Sequence, residues 1–191
     1  MNRTIIFDMH GIIFTYSKLN SLEESSSIWE SKIKEYSKRY RRYKKAWSDC
    51  EHRNYKLALE VENISTHSGI EGDKSELQVY EMPGAIQKLL RHYNQGDKIV
   101  IASNSLVDTT KDILNFLFKS KKVKSEGKFI DTIDIYNMNL IGEKNEPKSW
   151  EKIFKKYKNI IDIYEDKKKN LEAAGIAARK LGFRVSLHSR I

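Results

Sequence analysis

Short apolar runs that end on polar residues are the feature that most constrains the fold of this chain. The strongest runs are Thr4–Phe7, Lys98–Ala102 and Ile160–Tyr164, and weaker ones cover residues 132–136 and 183–187. Each is rich in β-branched or aromatic residues and has the length of a single buried strand. Runs of this kind are typical of a parallel sheet that is covered on both faces.

Helical patterns separate several of these runs. One extends from Ile86 to Tyr93, with apolar residues at i, i+3, i+4 and i+7, and Gly96 follows as a stop signal. Another extends from Leu171 to Leu181. Strands that alternate with helices predict an α/β fold, a Rossmann-like parallel sheet flanked by helices.

Residues 16–79 interrupt this alternation. Aromatic and apolar residues recur there at spacings of three and four, which predicts a helix with one aromatic seam. We expect a second helix around residues 54–62 and a flexible linker over residues 65–75. The chain is therefore predicted to have a core of residues 1–15 and 80–191 and a small α-helical cap of residues 16–79. The seam consists of Trp29, Ile33, Tyr36, Tyr40, Tyr43 and Trp47.

The chain is basic, with 35 Lys and Arg residues against 26 Asp and Glu residues and a formal net charge of +9. This balance favours anionic partners, of which a small phosphorylated substrate is the first expectation and a nucleotide or nucleic acid the second. The strict helical spacing of the aromatic residues favours packing over base stacking. The basic residues that could contact nucleic acid are Lys32, Lys38, Arg39, Arg41, Arg42 and Lys45.

The cysteine count and the length of the apolar runs restrict the cellular location that the sequence predicts. Cys50 is the only cysteine, which excludes an internal disulfide and a cysteine-rich zinc site. No apolar run approaches the roughly 18 residues that span a bilayer, so no membrane partner is expected. The first apolar run is interrupted by Asp8 and His10, which does not fit a signal peptide. We expect a cytoplasmic protein, and the pattern leaves its oligomeric state open.

Polar side chains follow each of the strongest predicted strands. Asp8 follows the first, Ser103 and Asn104 follow the second, and Glu165–Asp166 follow the third. Because the carboxyl ends of parallel strands meet at one edge of a sheet, we expect these groups to converge there. Lys148, at the start of a predicted helix, would add an ammonium group. This combination suits phosphoryl transfer.

Each group has a role in that chemistry. The Asp8 carboxylate could accept the phosphoryl group, Ser103 could donate to a phosphate oxygen, and Lys148 could neutralise negative charge. Neighbouring carboxylates repel each other unless a cation lies between them, and oxygen ligands suit magnesium. Ser105 and Asp108 have the S-x-x-D spacing of a capping box, which predicts a helix N-terminus beside the phosphate.

Four motifs, in this order, resemble those of the haloacid dehalogenase-like superfamily, most of whose members are magnesium-dependent phosphatases. IIFDMHG is similar to the first motif, D-x-D-G after a strand, and IVIASNS is similar to the second. The third motif is a lysine before a helix, for which Lys148 in EPKSW is the best match and Lys144 the alternative. YEDKKKNLEAAGIAARKLG is similar to the fourth. The resemblance covers about residues 1–15 and 80–191.

The resemblance implies roles for individual residues. Asp8 would be the nucleophile, His10 and Lys148 would be the other catalytic residues, and Ser103, Asn104 and Lys148 would bind the phosphoryl group. Magnesium would be held by Asp8, the backbone carbonyl of His10 and Asp166. The cap would shape the substrate site, and its basic residues would help to hold an anionic substrate.

Three positions depart from the family pattern. His10 stands where phosphatases of the family place a second aspartate, Glu165 replaces a glycine, and Asn170 replaces an acidic residue. One hypothesis is that the His10 imidazole takes over proton transfer, with activity following an ionisation near neutrality. The other is degeneration to a protein that binds but turns over slowly. Asn170 could still ligate the metal, and Glu165 could replace the lost charge.

The leading interpretation is a magnesium-dependent phosphatase that hydrolyses a phosphate monoester through an aspartyl-phosphate on Asp8. One alternative is a metal-independent dehalogenase, because dehalogenases of the family also lack the second aspartate and have Ser-Asn in the second motif. The other is a catalytically weak or inactive protein that binds an anionic partner, such as nucleic acid, through its basic cap. Magnesium dependence separates the first two interpretations.

Overall fold

A five-stranded parallel sheet lies at the centre of the protein. The computed structural model describes residues 3–18, 22–45, 48, 56–122 and 126–190. The strands are β1 (Thr4–Phe7), β2 (Phe14–Thr15), β3 (Tyr80–Glu81), β4 (Lys98–Ser103), β5 (Asp134–Asn137), β6 (Ile160–Tyr164) and β7 (Ser186–His188). The sheet has the strand order β5-β4-β1-β6-β7, and an antiparallel ladder of β2 and β3 stands apart from it.

Helices connect the strands and cover the sheet. None of the described helices has the length and hydropathy needed to cross a membrane. The helices are α1 (Leu22–Arg39), α2 (Lys56–Ile70), α3 (Ala85–Asn94), α4 (Val107–Ser120), α5 (Glu126–Asp131), α6 (Met138–Ile141), α7 (Pro147–Phe154) and α8 (Lys168–Lys180), with a short 3-10 helix at Arg41–Tyr43.

Alternation along the central strands produces two apolar layers. Ile5, Phe7 and Ile101 pack on one face of the sheet with α3, α4 and α5. Ile6 and Val100 point to the other face and pack with α7 and α8. All five side chains are at most 1% exposed, so β1 and β4 are buried on both faces. The predicted α/β fold with a parallel sheet flanked by helices is confirmed.

The predicted cap segment, residues 16–79, contains α1 and α2. The ladder pairs Phe14 with Glu81 and Thr15 with Tyr80, which brings the two ends of the segment together. Ile33, Tyr36, Tyr43, Ala58 and Val61 form a small apolar cluster within the segment. Other side chains of the segment, Ile28, Trp29 and Ile70 among them, pack against the larger apolar layer of the sheet.

The aromatic seam is shorter than its spacing predicts. Helix α1 ends at Arg39 because Tyr40 is extended, with φ −123° and ψ 116°, and begins the 3-10 turn. Tyr40 is 45% exposed. Tyr43 folds back so that its ring lies 5.8 Å from that of Tyr36. Trp47 lies outside the described residues.

The predicted second helix is present but longer, and the predicted linker is wrong. Helix α2 begins at Lys56 and continues to Ile70, through the first half of the linker. Ser65 is buried, donates a hydrogen bond to Glu76, and accepts one at 3.1 Å from the Leu77 backbone N–H. These bonds fix the chain between α2 and β3.

Candidate active site

The polar residues that end the central strands meet at one edge of the sheet. Carboxylate oxygens of Asp8, Glu165 and Asp166 lie within 4.8 Å of one another. The Asp8 backbone N–H donates to the Tyr164 carbonyl at 2.7 Å, which holds the end of β1 against the end of β6. The structure therefore brings together the acidic groups that the strand pattern predicts there.

Lys144 is the cation of this cluster. Its Nζ lies 2.7 Å from Asp8 Oδ1 and 2.6 Å from Glu165 Oε2, and it donates to the Ala102 carbonyl at 3.1 Å. Lys144 is only 3% exposed. Burial alone would lower the pKa of Lys144, but the adjacent carboxylates outweigh it and raise that pKa above its ordinary value. The ammonium is therefore permanently charged.

The structure does not bring Lys148, the predicted site lysine, to this cluster, and the alternative, Lys144, lies there instead. Lys148 is exposed in the first turn of α7, because that helix turns Ser149 and Trp150 inward. The Trp150 indole N–H donates to the Lys144 carbonyl at 2.6 Å. The buried face of α7 thus anchors the loop that places Lys144 beside Asp8.

The donor set fits a divalent cation. Asp166 Oδ1 is buried and has no hydrogen-bond partner among the described residues. Both carboxylate oxygens of Glu165 have hydrogen-bond partners: Oε2 accepts from Lys144 Nζ, and Oε1 accepts from the Lys167 backbone N–H at 3.1 Å. Burial and the neighbouring Glu165 raise the pKa of Asp8 and raise that of Asp166 to about 6. Three crowded carboxylates and an unpartnered oxygen are what an oxygen-ligated cation such as Mg²⁺ would relieve.

Gly11 allows Asp166 to approach the first motif. Its φ is +82°, and a Cβ there would lie 2.7 Å from Asp166 Oδ2 and 2.9 Å from Leu22 Cδ2. Any other residue would have to strain its backbone and displace the Asp166 carboxylate. The glycine of the motif is thus explained by the position of an acid that lies far away in sequence.

We expect Gly11→Ala to weaken Mg²⁺ binding by about 10- to 100-fold, the usual effect of disturbing the support of a metal ligand. Titration calorimetry with Mg²⁺ measures the affinity directly. Gly96→Ala is the matched control, because Gly96 has φ +75° but nothing within 4 Å of the added Cβ. Equal Mg²⁺ affinity of the two folded variants would remove Asp166 from the metal site.

His10 is tied to α1. Its Nε2 lies 2.6 Å from Ser25 Oγ, which also accepts a hydrogen bond at 2.7 Å from the Tyr16 backbone N–H. Burial, with smaller contributions from Lys167 and Lys144, lowers the pKa of His10 to about 4. This environment favours the neutral imidazole at pH 7 and moves the expected ionisation of His10 below neutrality.

A cavity of about 210 Å³ lies between the strand ends and helices α1 and α2. It is smaller than the roughly 300–1,000 Å³ of typical ligand pockets, which suits a small substrate. Asp8, His10, Ser103 and Asn104 of the predicted site line it. The remaining lining residues are Tyr16, Ser26, Trp29, Glu30, Leu59, Glu62, Ser105 and Lys167.

Glu62 is the main cavity residue that the motifs miss. Its Oε1 accepts hydrogen bonds from the Tyr16 hydroxyl at 2.9 Å and from Ser105 Oγ at 3.0 Å. A signal for it was present in the sequence, because Glu62 shares the apolar face of its helix with Leu59 and Thr66, three and four residues away. A carboxylate on a buried helix face points to a polar partner or a site.

A helix begins where the spacing of Ser105 and Asp108 predicts one, but the capping box itself is absent. Helix α4 begins at Val107 after Leu106, which makes no side-chain capping bond. Ser105 instead uses its hydroxyl on Glu62, and its backbone N–H donates to Ser103 Oγ at 3.1 Å. The loop after β4 is thereby linked to helix α2.

The basic residues of the segment do not form the wall of the cavity. Lys32 is buried, with its Nζ 2.8 Å from Glu35 and 3.6 Å from Glu76. Contrary to the expectation, it does not present its ammonium group to a nucleic acid. Of the residues that the structure describes, none of the predicted basic contacts lines the cavity. Lys38, Arg39, Arg41 and Lys45 are exposed, and the side chain of Arg42 lies outside the described part.

Asn170 is buried in the first turn of α8. Its backbone N–H donates to the Lys167 carbonyl at 3.0 Å, which begins that helix. The part of Asn170 in holding a metal stays a prediction.

Neither a protein-family model nor a curated protein sequence matches this chain. Solved structures do match it. The UTR4 protein of Saccharomyces cerevisiae is 15% identical with a TM-score of 0.60, and the match covers 98% of this chain and 89% of that one. CbbY of Rhodobacter sphaeroides, solved in complex with phosphate, is 13% identical with a TM-score of 0.58, over 98% and 86% of the two chains.

A third match is the L-2-haloacid dehalogenase of Xanthobacter autotrophicus. It is 17% identical with a TM-score of 0.52, over 97% of this chain and 76% of that one. At these identities the matches show the fold, and that fold is haloacid dehalogenase-like.

Proposed function

We propose that this chain, which has the haloacid dehalogenase-like fold, is a magnesium-dependent phosphatase that hydrolyses a small phosphate monoester. The observation that supports this best is the buried cluster of Asp8, Glu165, Asp166 and Lys144 at the strand ends, of which Asp8 lines the cavity. A nucleophilic carboxylate, a fixed ammonium and an unpartnered carboxylate oxygen are the groups that phosphoryl transfer uses.

In the first step, a carboxylate oxygen of Asp8 attacks phosphorus, and the bond from phosphorus to the ester oxygen breaks. Lys144 holds Asp8 Oδ1 at 2.7 Å and offsets the negative charge of both carboxylate and phosphate. Ser103 and Asn104, at the end of β4, would donate to the phosphoryl oxygens. The products are an aspartyl-phosphate and an alkoxide, which takes a proton from solvent water to become the alcohol.

In the second step, water attacks phosphorus and breaks its bond to Asp8, which releases inorganic phosphate and restores the carboxylate. His10 lines the cavity beside Asp8 and is the proposed acceptor of the proton that this water gives up. Burial favours the neutral ring, and a neutral imidazole carries one nitrogen lone pair that can take up a proton.

The residues proposed to hold magnesium are Asp8, Asp166 and the backbone carbonyl of His10. When bound, Mg²⁺ supplies positive charge that shields the carboxylates from the phosphate and polarises the phosphoryl oxygens. Within the cluster, Lys144 contributes a single positive charge against three carboxylates, so Lys144 alone does not neutralise the cluster.

A metal-independent dehalogenase is the second candidate, favoured by the likeness to a haloacid dehalogenase and by Ser103-Asn104 in the cavity wall. The burial of Glu165 and Asp166 beside Asp8 favours the phosphatase, because a dehalogenase needs no metal to offset these charges. Binding of nucleic acid through exposed Lys38, Arg39, Arg41 and Lys45 would be a separate activity on another surface.

The test is hydrolysis of p-nitrophenyl phosphate with added Mg²⁺ and with excess chelator. We expect turnover with Mg²⁺ and a loss of at least about 100-fold with chelator, because the carboxylate cluster then repels the phosphate. Release of chloride from a 2-chloro acid, measured alongside, tests the second candidate. Chelator-resistant dehalogenation without phosphate release would overturn the proposal.

A further inference from the structure

The charged residues of the cavity differ between the side at the strand ends and the side formed by α1 and α2. Its floor lies at the strand ends, where Asp8 is paired with the buried Lys144, and Lys167, which follows β6, also lines the cavity. The wall formed by α1 and α2 contributes Glu30 and Glu62 and no lysine or arginine among the described lining residues. A ligand whose phosphate lies on the floor therefore places its other end against negative charge.

The Oε2 atom of Glu62 could accept a hydrogen bond from the other end of such a ligand. Both of its described hydrogen bonds, from Tyr16 and Ser105, go to Oε1. Among the described residues, Oε2 has no hydrogen-bond partner, and Glu62 lines the cavity. The two bonds fix the carboxyl group, so Oε2 is a preorganised acceptor.

The buried environment of Glu62 disfavours the charged form of its carboxyl group. The residue is 5% exposed, and burial raises its pKa to about 7. A cation at Oε2 would restore the charged form by direct pairing. Without a cation at Oε2, burial disfavours the charged form of Glu62 near neutral pH, which is typical of a residue kept for binding.

The structure assigns Glu62 as a specificity-determining residue for a substrate whose leaving group ends in a primary ammonium, so that the substrate is a small aminoalkyl phosphate. This assignment rests on the proposed phosphatase function and names its substrate class. The ammonium would donate to Glu62 Oε2, with the Trp29 ring and the Glu30 carboxylate on the same side of the cavity.

Charge and size favour this substrate over other phosphate esters. A second phosphate or a carboxylate on the leaving group would face Glu62 and Glu30, and a cavity of about 210 Å³ suits a small molecule. A neutral hydroxyl would bond to Oε2 but would not offset its charge. An ammonium does both, and its hydrogen bond to a carboxylate is charge-assisted.

The test compares 2-aminoethyl, 2-hydroxyethyl and propyl phosphate, which differ only in the terminal group of the leaving alcohol. We expect kcat/KM for 2-aminoethyl phosphate to exceed that for propyl phosphate by about 10- to 100-fold, the usual contribution of a hydrogen bond to a charged group. In Glu62→Gln, this ratio should fall by at least about tenfold. Glu60→Gln, on the same helix but outside the cavity lining, should keep it.

A second measurement separates a binding role from a structural one. The pKa of Glu62 is about 7 in the folded chain against an ordinary 4.5, because the folded chain favours the protonated carboxyl group. Glu62 therefore stabilises the folded chain fully below pH 4.5, and this stabilisation is lost as pH rises through 7. Glu62→Gln should therefore raise the melting temperature more at pH 8 than at pH 5. The charged neighbours that share the cavity are Glu30, Asp8 and Lys167, and these are unchanged. A structural Glu62 would instead lower the melting temperature at both pH values when replaced.

The possible outcomes separate the two proposals. If the protein hydrolyses p-nitrophenyl phosphate but shows no preference for the amine, the substrate class is wrong and the phosphatase stands. A preference for 2-hydroxyethyl phosphate also overturns it. If no ester is hydrolysed, titration calorimetry with the same three phosphates decides, since tighter binding of the amine supports the Glu62 site and equal or absent binding overturns it.

Discussion

Asp8→Asn is expected to lower kcat for p-nitrophenyl phosphate by about 10⁴-fold or more, because an amide cannot form the aspartyl-phosphate. The variant should stay folded. Asn keeps a carbonyl oxygen that can accept from Lys144 Nζ and from the Met9 backbone N–H, the two partners of Asp8 Oδ1 at 2.7 and 2.8 Å. Initial rates at saturating Mg²⁺, together with the melting temperature, measure both effects.

The matched control is Asp108→Asn, the same chemical change at an exposed position in the first turn of α4. It should retain full activity. Turnover by Asp8→Asn within tenfold of wild type, in protein that melts normally, would show that Asp8 is not the nucleophile. The cluster around Lys144 would then be a structural ion network.

The sheet and the position of Asp8 follow from local sequence. Strands β1 and β6 have the predicted bounds, and β4 extends one residue further, because each is a short, largely apolar run in the core of the sheet. Once the strands are known to be parallel, the position of Asp8 beside Asp166 follows from topology alone. The exposure of Lys148 does not, since it depends on which face α7 turns inward.

Lys144 and Glu62 show why the rest of the site was harder to predict. Lys144 belongs to a loop, and its direction is set by Trp150, whose indole bonds to its carbonyl. Glu62 is placed by tertiary contacts with Tyr16 and Ser105, which are distant from it in sequence. Periodicity finds the buried face of α2, but it does not tell which part of the chain that face meets.

The aromatic seam shows the same limit at the level of secondary structure. The spacing of three and four continues past Arg39, but the chain leaves the helix at Tyr40. Tyr43 still reaches the apolar cluster because a turn brings it back to Tyr36. A pattern of spacing can therefore be satisfied by a helix followed by a turn as well as by one longer helix.

Lys144→Met is expected to lower the free energy of unfolding by about 3–5 kcal/mol, the cost of removing one partner from a buried ion pair. Met fills a similar volume but leaves Asp8 and Glu165, which are 7% and 1% exposed, without their shared cation. Urea unfolding measures the loss. Lys148→Met makes the same change four residues away on the exposed side of α7 and should alter stability by less than about 0.5 kcal/mol.

Repulsion between Asp8 and Glu165 is the expected cause of the lower unfolding free energy of Lys144→Met. If so, removing the charge of Glu165 as well should restore part of that free energy. Glu165→Gln on its own breaks a buried pair and should destabilise the protein. Added to Lys144→Met, it removes a charge that no longer has a partner, so the double variant should be more stable than Lys144→Met alone. Such coupling is specific to groups in direct contact. Additive losses in this double-mutant cycle would mean that Lys144 stabilises the protein by packing, and its electrostatic part in catalysis would lose its support.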